Sequence, residues 1–155
     1  MKNAFKPVRF RQAVSCSPIR ENVVHVEVGK YVLAHKKHIR NVQTILGSCV
    51  GLIGYRDGHG FVVHVFSPIQ ASKMLQQLQI DVRREVGCAL EDFHMTISGG
   101  NRVHPKNSLD VGKQNIEAVI GSLERRPDLK VHLGMDSGNV VKLSLDTGAV
   151  ESRKL

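Results

Sequence analysis

The 155-residue sequence has no tryptophan, few aromatic side chains and only three cysteines. With aromatic residues at 5% of the chain, it offers no evident series of rings on which nucleic-acid bases could stack. Cys16, Cys49 and Cys88 show no CxxC spacing, which argues against a disulfide framework and fits a reducing compartment. Zinc needs three or four convergent ligands, and His94 and His104 lack the spacing of such a set. No metal site is predicted.

Long hydrophobic runs are also absent. No apolar stretch approaches the roughly 18 residues of a membrane-spanning helix, so no membrane insertion is expected. The first residues carry basic side chains, but no apolar segment follows them as it would in a secretory signal. We therefore expect a cytoplasmic protein.

Acidic residues are few compared with basic ones, and the formal net charge is +8. Much of the excess lies in the first forty residues. A basic balance suits acidic partners, nucleic acid among them. The sequence contains no nucleic-acid-binding motif, however, and a solvated basic surface explains the charge. No nucleic-acid partner is predicted.

The pattern of apolar residues predicts an α+β fold in a single domain. Residues 1–21 are expected to form a basic, mostly irregular extension and residues 22–155 the folded domain. Amphipathic helices are predicted over residues 70–90, with Cys88 in the core, and over residues 110–124. Residues 152–155 are expected to fray. Strands are predicted over residues 23–28, 31–34, 39–46, 50–55, 61–66, 93–98, 131–133, 140–145 and 149–151.

The segment that carries chemistry is a predicted hairpin. Strands over residues 50–55 and 61–66 flank Asp57-Gly58, a strong hairpin signal between β-branched and aromatic runs. Closure there would set Val50 and Gly51 opposite Val65 and His64. Directly opposite side chains have Cβ atoms about 5 Å apart, so Cys49 and His64 could meet.

A cysteine beside a histidine can act as a nucleophile, because the imidazole takes the thiol proton. Gly47 and Gly51 bracket Cys49, and glycines allow turns that aim backbone N–H groups at one point, where they could hold an oxyanion. The other interpretation is structural: Cys49 as a small buried hydrophobe and His64 as a core histidine. The residue pattern alone leaves both interpretations open.

Four separated motifs resemble the chemoreceptor glutamine deamidases of bacterial chemotaxis, the CheD family. The first is Thr-x-Leu-Gly-Ser-Cys-Val over residues 44–50, followed by Gly-x-x-x-His-Val-x-x-Pro over residues 60–68. The others are Gly99-Gly100, the helix start over residues 111–118 and the closing hairpin over residues 136–148. The resemblance covers about residues 22 to 151, with the motifs in the family's order.

The resemblance implies two mixed β-sheets packed together and flanked by helices, as in a cysteine-hydrolase fold. It also implies an enzyme that hydrolyses the side-chain amide of protein glutamines to glutamate through a thioester on Cys49. His64 would be the base, and backbone amides around Gly47 and Ser48 would hold the oxyanion. No cofactor or metal is required. The implied substrates are the cytoplasmic helices of chemoreceptors, and in some bacteria the family also binds a CheC-type phosphatase.

The third catalytic residue departs from the family. The family's threonine lies six residues before the cysteine, where this sequence has Gln43, and Thr44 follows one residue later. A one-residue shift in a strand points a side chain to the other face. Either a bulge brings Thr44 to the site, or Gln43 orients His64 through its amide oxygen, or the third role is lost. The interval from Cys49 to His64 is also about two residues short.

Two rival functions follow. With the third role lost, the chain would be a weak or inactive docking module that binds chemoreceptors or a CheC-type phosphatase. The shared fold also permits a toxin-like deamidase of some other protein, although the detailed match to the chemotaxis family counts against it.

Overall fold

The structure is a computed structural model that describes residues 8–9, 21–100, 111–123, 130–133 and 139–154. The helices are α1 (Pro68–Glu85) and α2 (Val111–Gly121), with a short 3-10 helix over Leu90–Asp92. The strands are β1 (Val8–Arg9), β2 (Glu21–His25), β3 (Tyr31–His35), β4 (Ile39–Leu46), β5 (Val50–Arg56), β6 (His59–Val65), β7 (His94–Gly99), β8 (Lys130–Leu133), β9 (Asn139–Ser144) and β10 (Val150–Lys154).

The strands form two mixed sheets, as predicted. The six-stranded sheet has the order β1-β3-β6-β5-β7-β8, and its two outer pairs, β1 with β3 and β7 with β8, are parallel. The four-stranded sheet has the order β10-β9-β4-β2, with β2 parallel to β4. The α+β fold class with two packed mixed sheets is therefore confirmed.

The two faces of the six-stranded sheet have different partners. One face packs on α1 and α2, where Leu52 and Val63 meet Met74, Leu78 and Val119. The opposite face packs on the four-stranded sheet. Its core joins side chains from both sheets, namely Val24, Val32, Val42, Leu46, Ile53, Val62, Val141 and Leu143. The molecule thus has three layers, with both helices on the same side.

The predicted hairpin is present with its predicted register. Asp57 has φ of 48° and Gly58 has φ of 82°, as a two-residue type I′ loop requires. The flanking pair is Arg56 with His59. Pairing then continues to Gly51 opposite His64 and Val50 opposite Val65. Local turn chemistry therefore fixes which strand positions face each other at the far end of the hairpin.

The first helix begins and ends earlier than the predicted range of 70–90. Ser67 caps it, since its hydroxyl accepts a hydrogen bond from the backbone three residues later, and Pro68 occupies the first turn. Gly87, with φ of 82°, follows its C-terminus. Cys88 therefore lies beyond α1 rather than in it, half-buried against the core on the helix side.

The chain ends differ from expectation where they are described. Residues 152–154 belong to β10, so the predicted fraying over these residues is wrong. Their backbone pairs with β9 while the polar side chains stay exposed, and sequence polarity reports only the side chains. Most of the predicted extension over residues 1–21 lies outside the described residues. In the part of the chain that is described, no helix combines the length and hydropathy needed to span a bilayer.

The turn that carries Cys49 packs closely on the end of β7. Gly99 has φ of 90°, and a Cβ on it would lie 2.3 Å from the carbonyl oxygen of Cys49. The neighbouring Gly100, with φ of 71°, donates its N–H to the same oxygen at 2.8 Å. Gly99 therefore allows the Cys49 turn to approach β7 closely, because it has no side chain. Gly100 holds the turn there with its hydrogen bond.

Gly99→Ala is expected to lower the free energy of unfolding by about 3 kcal/mol or more, from backbone strain together with overpacking. Urea unfolding would measure this. Gly121→Ala is the matched control, because, apart from its chain neighbours and the backbone of α2, none of the described residues has an atom within 4 Å of the added Cβ. Its effect should stay below about 1 kcal/mol. Equal losses in the two variants would contradict the role assigned to Gly99.

Candidate active site

The candidate site lies between the two sheets. From Val42 onward strand β4 alternates, so that Val42, Thr44 and Leu46 are buried while Gln43 is half-buried and Ile45 exposed. Its pairing with β9 is continuous from Asn41 to Leu46, without a bulge. Thr44 therefore points inward by ordinary strand alternation, toward the six-stranded sheet.

Thr44 contacts His64 across the gap between the sheets. The hydroxyl oxygen of Thr44 lies 2.7 Å from Nδ1 of His64 and 2.8 Å from the backbone oxygen of Val26. A threonine hydroxyl has one hydrogen, and the Val26 carbonyl only accepts. The hydroxyl therefore donates to Val26 and accepts from the Nδ1–H of His64. We assign the neutral tautomer with its proton on Nδ1 and its free lone pair on Nε2.

The Nε2 atom, the other ring nitrogen of His64, makes no hydrogen bond to the described residues. It is buried, and the His64 side chain is 2% exposed. His64 lies opposite Gly51, and Cys49 precedes Gly51 by two residues. Cys49 packs against the core between the sheets, so it lies diagonally from His64 on the same face. Diagonal neighbours are within reach of long side chains.

Burial sets the protonation of both groups. It lowers the pKa of His64 from 6.5 to about 4, the Val26 backbone partly opposes the shift, and the charge of His25 adds to it. Burial also raises the pKa of the Cys49 thiol. Among the described residues, no carboxylate contributes to either shift. The resting pair at neutral pH is therefore an uncharged thiol and a neutral imidazole, rather than a thiolate–imidazolium pair.

The turn before β5 presents backbone amides beside the thiol. Gly47, Ser48 and Cys49 lie outside the strands, and none of the described residues accepts a hydrogen bond from their N–H groups. Apart from its two chain neighbours, none of the described residues has an atom within 4 Å of the position that a Cβ on Gly47 would take. Free amides beside open space suit the oxyanion of a tetrahedral intermediate.

Gln43 lies away from these groups. It lines a surface groove with Val140, Lys142 and Glu151 on the other face of β4. The hydrogen bond to His64 comes from Thr44, and no bulge is needed to make it. The structure thus brings together His64 and Thr44, with Cys49, Gly47 and Ser48 beside them, and leaves Gln43 outside.

Other residues at the site were missed by the sequence analysis. The backbone of Val26 accepts the Thr44 hydroxyl, and sequence carries no signal for a backbone contact. Asn115 of α2 is fully buried and donates to the backbone of the Cys49 turn. Asn115 stands in the helix-start motif over residues 111–118 that carried part of the family resemblance, but the sequence analysis assigned it no role at the site.

The histidines considered as metal ligands are not at the site. His94 is exposed at the start of β7, and His104 lies outside the described residues. Within the described ranges, no three His, Cys, Asp or Glu side chains are grouped as metal ligands would be.

The chain is similar in sequence to proteins named as probable chemoreceptor glutamine deamidases. The chain is 33% identical over 150 residues to the "Probable chemoreceptor glutamine deamidase CheD" of Methanococcus maripaludis strain C6, covering 85% of this chain and 95% of that protein. The protein of the same name from strain S2 is 31% identical over 146 residues, covering 83% and 92%. No protein-family model matches the chain.

Solved structures resemble the chain only distantly. The crystal structure of YlmD from Geobacillus stearothermophilus has a TM-score of 0.46 at 10% identity and covers 65% of this chain. The hypothetical protein YfiH of Bacillus licheniformis has the same score and identity and covers 73%. This chain spans 48% and 60% of those two proteins. At this similarity neither structure bears on the site.

The raised thiol pKa predicts how Cys49 reacts with pH. Thiolate is the species that iodoacetamide alkylates, and an ordinary thiol has a pKa of about 8.5. The alkylation rate of Cys49, followed by mass spectrometry, should rise about tenfold per pH unit from pH 7 to beyond pH 8.5. Cys49→Ser supplies the background from the other cysteines. A plateau below pH 7 would instead reveal a preformed ion pair.

The lowered His64 pKa predicts a pH-dependent stability. Between pH 4 and 6.5 the unfolded imidazole binds a proton that the folded one does not. The free energy of unfolding should therefore rise with pH across this window and level off above it, by about 3 kcal/mol in all. Urea unfolding of the native protein and His64→Gln between pH 4.5 and 7.5 measures the difference. Parallel curves for the two proteins would contradict the shift.

Proposed function

Because this chain belongs to the chemoreceptor glutamine deamidase (CheD) family, we propose that it hydrolyses the side-chain amide of selected chemoreceptor glutamines to glutamate. The products are glutamate and ammonia, and the reaction serves adaptation in chemotaxis. The observation that carries the proposal is the buried hydrogen bond between Thr44 and His64, on the face that Cys49 shares. This hydrogen bond orients His64 as a base on the face where Cys49 would be the nucleophile.

The first half of the reaction acylates Cys49. The glutamine carboxamide enters beside the thiol, and Nε2 of His64 takes the thiol proton as Sγ bonds to the carboxamide carbon. The negative charge moves to the former carbonyl oxygen, which the N–H groups of the Cys49 turn hold. When the intermediate collapses, His64 returns the proton to the leaving nitrogen and ammonia departs. A thioester on Cys49 remains.

The second half releases glutamate. Water attacks the thioester carbon while His64 takes one of its protons, and the same backbone amides hold the second oxyanion. Collapse breaks the carbon–sulfur bond, and the proton on His64 passes to the departing sulfur. Every proton moves through His64 or water, so the chemistry requires no metal or cofactor.

Thr44 serves as the third residue in this mechanism. It holds the imidazole by Nδ1 and so keeps the Nε2 lone pair toward Cys49. As a neutral hydroxyl it orients the ring without supplying a negative charge to stabilise the imidazolium. The low pKa of His64 is consistent with that arrangement.

The protein substrate is the cytoplasmic helical bundle of a chemoreceptor, which places the protein in the cytoplasm. Such bundles expose charged faces, and a chain with a net charge of +8 is attracted to the acidic ones. A CheC-type phosphatase is the candidate regulatory partner, on the family resemblance.

Mass spectrometry of a receptor cytoplasmic fragment incubated with the protein tests the proposal. Each deamidation exchanges NH2 for OH and adds about one mass unit, with the oxygen taken from water in the thioester mechanism. The native protein should produce this gain, and Cys49→Ala and His64→Ala should abolish it. If the native protein binds the fragment without changing its mass, the protein is a docking module rather than a deamidase.

Two further variants in the same assay decide the third role. Thr44→Val keeps the side-chain volume but removes the hydroxyl, and should lower kcat by about 10- to 100-fold, since the base is no longer oriented. Gln43→Ala, one residue away on the other face of β4, is the matched control and should stay near the native rate. A larger fall in kcat for Gln43→Ala than for Thr44→Val would indicate that Gln43 is the third residue.

A further inference from the structure

Both peptide groups of Cys49 are held by hydrogen bonds from other parts of the chain. The carbonyl oxygen of Ser48, which begins the peptide group leading into Cys49, accepts from Nδ2 of Asn115 at 3.2 Å. The carbonyl oxygen of Cys49 accepts from the N–H of Gly100 at 2.8 Å. Two consecutive peptide planes are thus fixed at the nucleophile.

The hydrogen bond from Asn115 to the Ser48 carbonyl sets the direction of the Cys49 N–H. A peptide group is planar and trans, so the Ser48 carbonyl and the Cys49 N–H point in opposite directions in one plane. Because Asn115 holds the carbonyl, it also aims the Cys49 N–H away from α2. None of the described residues accepts from that N–H, so it is free for a ligand.

Asn115 makes a second hydrogen bond to the residue that follows β6, the strand that carries His64. Its Nδ2 also donates to the backbone oxygen of Phe66, at 3.2 Å, two residues beyond His64. Both neighbours are carbonyl oxygens, which only accept, so both Nδ2 hydrogens are used and the orientation of the amide is determined. One side chain therefore fixes the nucleophile turn relative to the chain that carries the base.

Burial of Asn115 has a cost in stability. The side chain is fully buried, and its Oδ1 has no hydrogen-bond partner among the described residues. An unsatisfied buried acceptor costs about 1–3 kcal/mol. An apolar residue at this position would avoid that cost, but it would leave the Ser48 and Phe66 carbonyl oxygens without the Nδ2 donor. The amide at this position therefore serves the two carbonyl groups that it holds, one of which lies in the Cys49 turn.

We propose that Asn115 is a positioning residue that aims the Cys49 N–H at the oxyanion formed during acyl transfer. The proposal rests on the proposed function, since it concerns the same thiol and the same intermediate. Asn115 touches neither substrate nor thiol, and acts through the Ser48–Cys49 peptide group. Its loss weakens stabilisation of the oxyanion while the thiol and its base remain.

Two reactions of Cys49 separate oxyanion stabilisation from thiol reactivity. Acylation by p-nitrophenyl acetate passes through an oxyanion: Sγ bonds to the acetyl carbon, p-nitrophenolate leaves and the thiol proton passes to His64. Alkylation by iodoacetamide displaces iodide at a saturated carbon and forms no oxyanion. The ratio of the two rates, corrected with Cys49→Ala for the other cysteines, therefore reports the oxyanion site.

Asn115→Ala should lower this ratio by about 10- to 100-fold, because removal of one oxyanion donor costs up to about 10²–10³ in rate and misdirection costs part of that. The alkylation rate itself should stay within about twofold. Alanine favours helix, so α2 is retained. Should Asn115→Ala not fold, Asn115→Val keeps more of the volume, removes both donors without adding a charge and is expected to show the same fall.

Tyr31→Phe is the matched control. It removes another buried hydrogen bond, from the Tyr31 hydroxyl to Asp81 on the helix side of the six-stranded sheet. It should lower stability and leave the ratio unchanged. An unchanged ratio in the Asn115 variants, or an equal fall in acylation and alkylation, would overturn the proposal and make Asn115 structural.

The readout does not depend on the natural substrate. With receptor glutamines, the Asn115 variants should lower kcat and leave KM within about twofold. If the native protein acylates Cys49 but never deamidates a receptor, the proposed function fails while the ratio still decides the role of Asn115. If the native protein deamidates receptors but the Asn115 variants leave the ratio unchanged, only the role proposed for Asn115 is contradicted.

Discussion

The hydrogen bond between Thr44 and His64 joins the two sheets of the protein at the point where the chemistry is proposed. One partner belongs to each sheet, so the imidazole is oriented only while the sheets are packed in register. Because the Thr44 hydroxyl also donates to Val26, the bond determines which nitrogen of His64 carries the proton. The free lone pair on Nε2 follows from that single constraint, and the proposed role of His64 as a base depends on it.

Local turn chemistry explains why half of the site was predictable. Asp57-Gly58 between apolar runs indicates a two-residue loop, and pairing outward from it sets His64 opposite Gly51. The face shared by Cys49 and His64 follows from strand alternation alone. The residues of the hairpin alone therefore determine where Cys49 and His64 lie relative to each other.

The choice between Gln43 and Thr44 depends on information that is not local. Ile45 and Leu46 are both apolar, so alternation in β4 can be read in either phase. The packing of Val42 and Leu46 against the other sheet decides it, and leaves Ile45 44% exposed. Asn115 lies 67 residues from its Ser48 partner, and only the tertiary fold brings α2 to the turn. The thiol end of the site is thus local in origin, whereas its support comes from distant segments.

The uncharged resting pair has a consequence for the survival of the protein in a cell. Oxidation by peroxide proceeds through the thiolate and leads by way of sulfenic acid to states that are not readily reduced. A cysteine held as a thiol by burial resists this damage, and in the proposed mechanism it becomes reactive only when His64 takes its proton during attack. The same burial that slows the free thiol therefore also protects it from oxidants.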